Sequence, residues 1–195
     1  ITQGEKTEGI SADIYKYTVE LLFQERPVSM VNKLIRRQIY QNEIHYPVLN
    51  MAEDMATTLQ LIPFCKRMSF VKGVYYHYDG TTVSITRQKS KNAVLTQALQ
   101  ACENIQYVIK VYAKNEDRKI TNGLIHLKFM QRRLLMPIIN HKDVYEIWKS
   151  TFPEINSAIL FSPFVKVSCI ERLKFFLTLV NVFPRIKDKT RKNIN

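Results

Sequence analysis

The chain has 195 residues, 46% hydrophobic and 24% charged, a globular composition that excludes a wholly disordered polypeptide. Its 29 Lys/Arg against 17 Asp/Glu give a formal net charge of +12. Gly4, Gly9, Gly73, Gly80 and Gly123 are the only glycines, and no G-x-G-x-x-G or Walker-type loop can be written from them, which argues against a self-contained dinucleotide or P-loop enzyme.

Residues 1–9 are polar and read as a loose lead-in. Ser11 is placed to cap a helix with Ile14, Tyr17 and Leu21 on one face, and Pro27 stops it. Val28 to Val31 is a short apolar stretch, and Lys33 to Tyr40 reads as a basic amphipathic helix. Residues 41–52, with Pro47, read as a loop. Glu53-Asp54 opens a second helix with Met55, Leu59, Ile62 and Cys65 on one side, kinked at Pro63. Ser69 to Tyr78 is aromatic and β-branched and predicts a strand, closed by the Asp79-Gly80 turn. After Arg87, Leu95, Leu99, Cys102, Ile105, Ile109 and Tyr112 recur at spacings of three and four and predict a long amphipathic helix. Ile120, Leu124, Leu127, Met130 and Leu134 repeat the pattern until Pro137. Shorter helices are expected around 141–150, 154–161 and 166–180.

Cys65, Cys102 and Cys169 are odd in number and far apart, so they form neither a disulfide framework nor a zinc knuckle and read as core residues. The four histidines are scattered, with no H-E-x-x-H. The chain starts at Ile1 without a signal-peptide pattern and reads as a piece of something longer. The longest nearly apolar run, Phe175 to Phe183, is too short to span a bilayer. Charge is uneven. Residues 1–88 hold 10 Lys/Arg and 9 Asp/Glu, whereas 89–195 hold 19 and 8. Such an excess attracts polyanions or an anionic membrane face, or it is a solvated Lys-rich helix surface.

Glu53-Asp54 is the acidic pair with chemical interest. Two acids at a helix start ordinarily complement the helix dipole. Here they sit in a fixed order with three other segments: V-N-K-L-I-R-R at 31–37, A-E-D-M at 52–55, Y-Y-H-Y at 75–78 and S-I-T-R at 84–87. This order over residues 28–87 resembles the C-terminal half of the catalytic domain of family 2 glycosyltransferases, the inverting GT-A type of bacterial polysaccharide synthesis. Val31 stands where that family has Trp, and Ala52 where it has Gly. The family's nucleotide-binding half and its D-x-D are missing, since the six aspartates include no pair two residues apart.

The resemblance implies an α+β, predominantly helical chain. Residues 1–88 would be the acceptor-side part of a GT-A catalytic domain and 89–195 a helical C-terminal region. It implies that Asp54 is the general base and that Glu53 orients the acceptor or supports Asp54. Asn32 and Lys33 would touch acceptor or diphosphate, although a lysine in a basic helix is also simply solvated, the reading given to Arg36 and Arg37. His77 either completes a metal or diphosphate site or packs beside Tyr75. Ser84 and Thr86 satisfy the turn. A divalent metal, magnesium or manganese, belongs to the full-length enzyme, with none expected on this fragment. Its partners would be a nucleotide-sugar donor and a saccharide or lipid-linked acceptor, in the cytoplasm at the inner face of the membrane.

Two rival readings carry no catalysis. One is a structural helical scaffold in which Glu53-Asp54 only complement a dipole. The other is a basic helical module for nucleic acid or a membrane surface. Nucleic acid is disfavoured because the aromatics of 89–195 follow the apolar periodicity and read as buried. Residues 166–192 join an apolar stripe (Phe175, Phe176, Leu177, Leu179, Val180) to a Lys/Arg-rich terminus. That stripe either lies in a bilayer interface or packs on the preceding helices. A fragment lacking half its domain should also expose an apolar edge at Val28, Met30, Val31 and 70–78 and self-associate.

Overall fold

The computed structural model describes residues 10–48, 50–71, 73 and 90–186. The chain is predominantly helical. Its α-helices include α1 (Ile14–Leu22), α2 (Glu53–Leu61), α3 (Lys91–Tyr112), α4 (Arg118–Arg133), α5 (Lys142–Ser150), α6 (Asn156–Phe161) and α7 (Cys169–Leu179), and residues 182–186 are helical as well. The strands β1 (Ile10–Ser11) and β2 (Ser69–Phe70) pair antiparallel, Ile10 opposite Phe70.

The helix ends follow capping chemistry. Asp13, not Ser11, caps α1, its carboxylate accepting from the Lys16 amide at 3.1 Å. Asp117 caps α4 through the Lys119 and Ile120 amides at 2.8 and 3.0 Å and also accepts from the Tyr15 hydroxyl at 2.9 Å, which ties α1 to the start of α4. Ser168 and Glu171 form a reciprocal capping box at α7. α2 gives way at Ile62–Phe64 to a 3-10 turn, where Pro63 removes an amide donor.

Four expectations are corrected. Residues 33–40 are not one α-helix: 33–36 carry no helix, and they lie between two 3-10 turns, Met30–Asn32 and Arg37–Gln41. An eight-residue helix is marginal without a tertiary face to bury, and Leu34, at 104% exposure, has none. Among the described residues the strand at 69–78 ends at Phe70, and 74–78 lie outside them. Leu99 is 44% exposed, because Ala98, Ala101, Ile105, Val108 and Tyr112 form the buried line of α3. Phe161 (80% exposed), Phe164 and Phe176 face solvent rather than the core.

Two clusters make the core. One, built around Trp148 of α5, includes Ala98, Phe129, Leu135, Ile139, Ile155, Ile159 and Phe175. The other joins Leu21 and Leu22 of α1 and Met55, Ala56 and Leu59 of α2 to Ile105, Val108 and Tyr112 of α3 and Ile120 and Leu127 of α4. Burial of each large aliphatic side chain contributes roughly 1.5–3 kcal/mol. This second cluster draws on residues from both sides of position 88. The α1–α4 crossing is close because Gly123 has no side chain, and a Cβ there would fall 2.7 Å from Leu22 Cβ.

Candidate functional site

The acidic pair lies in the first turn of α2, where the helix dipole favours ionised carboxylates. The turn is entered through Ala52, whose φ of 61° and ψ of 18° lie in the left-handed region. A side chain in that conformation costs about 1–2 kcal/mol relative to right-handed backbone, and glycine escapes the cost. Ala52 is thus the position where the resembled family carries glycine.

α2 is fastened on several sides. The Thr58 hydroxyl donates to Val28 O at 3.0 Å. Gln60 Nε2 donates to His45 O at 2.9 Å, and its Oε1 accepts from the His45 amide at 3.0 Å. The Tyr112 hydroxyl donates to Leu59 O at 2.9 Å. Asn104 Nδ2 donates to Met51 O at 2.7 Å and pins the loop just before Glu53. The His45 ring stacks on Tyr107 at 3.5 Å. A helix held this way gives its first turn a fixed direction.

Glu53 is exposed and Asp54 half-buried. Partial withdrawal from water pushes the Glu53 carboxyl up; its own backbone amide opposes this and the Asp54 charge adds to it. Lys33 is half-buried. Its Nζ donates to Pro27 O at 2.9 Å, Ser29 O at 2.5 Å and Asn32 Oδ1 at 2.8 Å, using all three protons to set its own loop. Burial lowers its pKa, while Asp54 acts in the opposite direction. Asn32 and Lys33 are thus hydrogen-bonded to each other, and among the described residues no hydrogen bond or ion pair joins either of them to Glu53 or Asp54. His77 lies outside the described residues.

Among the described residues no three His, Cys, Asp or Glu side chains converge in a way that could hold a metal ion. Glu53 and Asp54 alone do not make a complete site for the magnesium or manganese that the resemblance implies.

A second constellation escaped sequence reading. Arg132 of α4 is 0% exposed. Its Nε donates to Trp148 O at 2.7 Å and its Nη1 to Asn156 Oδ1 at 2.6 Å. Its guanidinium lies 3.8 Å from the Trp148 ring centroid and 5.1 Å from that of Phe175. Burial pulls its pKa down to about 10, which leaves it protonated at neutral pH; the Glu154 and Cys102 charges oppose the shift. The available signal was spacing, since Ile125, Phe129, Arg132 and Met136 recur at four, three and four. A cavity of about 430 Å³ is lined by Arg132, Trp148, Phe175 and Lys174, and neither Glu53 nor Asp54 borders it.

Compared with known protein families, with curated proteins and with solved structures, the chain shows no match.

Proposed function

We propose that this chain is the acceptor-side portion of an inverting glycosyltransferase of the family 2, GT-A kind, serving bacterial cell-surface polysaccharide synthesis. The observation that supports this reading is the place of Asp54, from A-E-D-M, in the first turn of a helix fastened through Thr58, Gln60 and Tyr112. The acceptor hydroxyl is a weak nucleophile near neutral pH. The Asp54 carboxylate takes its proton as the oxygen attacks the anomeric carbon. The new C–O bond forms on the face opposite the departing nucleoside diphosphate, which leaves with the bonding electron pair. Glu53, open to solvent, orients the acceptor. Lys33, held by its own loop, and Asn32 would contact the acceptor or the diphosphate, as the resemblance implies. Exposed Val31, Leu34, Val48, Phe70 and Val71 suit an apolar face covered by the rest of such a domain, whereas Val28 and Met30 are already half-buried.

The full-length protein tests this directly. Incubated with a panel of α-linked nucleotide sugars and acceptor glycan, it should release nucleoside diphosphate and give a β-linked product by NMR coupling constants. A retained configuration, or no release from any donor, would overturn the reading.

A second reading, compatible with the first, rests on α7. Ile170, Leu173, Phe176 and Val180 recur at three, three and four and are all exposed, with Lys174 and Arg185 close by. An unburied apolar stripe in the basic half of the chain suits an anionic bilayer surface. Among the described residues no helix is long and apolar enough to cross a membrane. The chain should float with phosphatidylserine-containing liposomes at low salt, and Leu173→Ser with Phe176→Ser should abolish flotation. Equal flotation by the double variant would refute an interfacial α7.

A further inference from the structure

The cavity beneath α7 has a composition that neither reading above uses. Phe129, Trp148, Phe175 and Phe183 supply aromatic walls, and Arg132, Arg133 and Lys174 supply three cations. Among the described residues Glu171 is the one carboxylate on the lining, and it is already engaged by Arg133 and by the Ser168 hydroxyl. Two positive charges on the wall therefore lack a carboxylate of the cavity to offset them.

Arg132 is the more consequential of the two. A fully buried cation is costly unless paired, because its hydration is lost. Its electrostatic neighbour Glu154 is hydrogen-bonded instead to Lys128 at 2.7 Å. Nε and Nη1 are satisfied by a carbonyl and an amide oxygen, both neutral. Nη2 is buried and, among the described residues, has no hydrogen-bond partner. Buried donors in folded proteins are nearly always paired, so an orphaned guanidinium nitrogen on a residue that lines a cavity marks a place for an acceptor. Guanidinium groups suit phosphate and carboxylate oxygens, and the Trp148 and Phe175 rings hold this one in a fixed plane. The volume, about 430 Å³, falls within the range of small-molecule sites and exceeds what an inorganic anion needs.

We propose that this cavity is a binding site for an amphipathic anion, a ligand that places one phosphate or carboxylate against Arg132 and Lys174 and an apolar chain against Phe129, Trp148, Phe175 and Phe183. The apolar walls would favour such a ligand over a free inorganic anion, and the cations would favour it over a neutral alcohol.

Trp148 is the single tryptophan of the chain, so its fluorescence reports on this cavity alone. The chain is titrated with decyl phosphate below its micellar concentration, and in parallel with decanol and with inorganic phosphate. Decyl phosphate should give a saturable change in Trp148 emission at a concentration at least tenfold lower than either control. Lys174→Glu, a surface substitution, should weaken it at least tenfold. Phe161→Ser, on the exposed surface of α6, should leave it unchanged. An equal response to decanol would show an apolar void only, and an equal response to inorganic phosphate a simple anion site. Either result, or indifference to Lys174→Glu, overturns the proposal.

Discussion

Replacing Asp54 by asparagine should reduce sugar transfer by the full-length protein about 10²- to 10⁴-fold, the range that a positioned general base supplies. The amide keeps the shape of the side chain but cannot accept the acceptor's proton. Donor binding should survive nearly intact, because the proposed role of Asp54 is on the acceptor oxygen. The loss should therefore fall on kcat rather than on the KM for the nucleotide sugar. Glu53→Gln should cost less, since Glu53 is open to solvent and orients rather than abstracts. Stability should barely change. The variant loses only the favourable interaction of one charge with the start of α2, about 0.3–1 kcal/mol. Single-turnover assays beside thermal melts separate these effects. Turnover like that of the wild type in Asp54→Asn would remove Asp54 from the chemistry.

Arg132→Ala should be the most damaging single change in the helical half, at about 3–5 kcal/mol. It empties a buried site, strips donors from Trp148 O and Asn156 Oδ1, and removes a cation stacked on two rings. In a domain of this size about 1 kcal/mol shifts Tm by 2–4 °C, so the melt should fall by roughly 10 °C. Arg132→Met restores most of the volume without burying a charge and should recover at least half of that loss. Urea denaturation of both variants reads the difference. An alanine variant as stable as the wild type would mean that α4 is not fastened to α5 and α6 through this guanidinium.

The long helices were legible because period alone determines them. α3 and α4 fall where apolar residues recur at three and four, and Asp117 and Pro137 bracket α4. What period does not encode is which of two neighbouring apolar stripes meets a partner. On α3 the small residues Ala98 and Ala101 turn inward and Leu99 outward, a choice made by the packing of α3 against α2, α4 and the turn at Met136–Ile138. Residues 33–40 show the converse, a helix-like pattern with nothing to pack against. Of the site, the position of Glu53-Asp54 at a helix start could be read directly. The engagement of Lys33 with its own loop could not, because carbonyls six and four residues back become acceptors only once that loop has curled. Arg132 was hidden for another reason. Charge argues for solvent, and only its place in the apolar stripe argues against it.

The shared core of α1, α2, α3 and α4 also dictates an order of events during folding. Tyr15 and Asp117, hydrogen-bonded in the finished protein, are 102 residues apart in the chain. As the chain leaves the ribosome, Leu21, Leu22 and Leu59 have no lasting place to bury until the second half of α3 and most of α4 have emerged. Closing so long a loop sacrifices chain entropy before any contact returns it, which slows folding relative to bundles whose neighbours in space are neighbours in sequence. During that interval α1 and α2 lack the faces of α3 and α4 that complete their core. A polypeptide severed near residue 88 would leave its leading piece in that condition permanently.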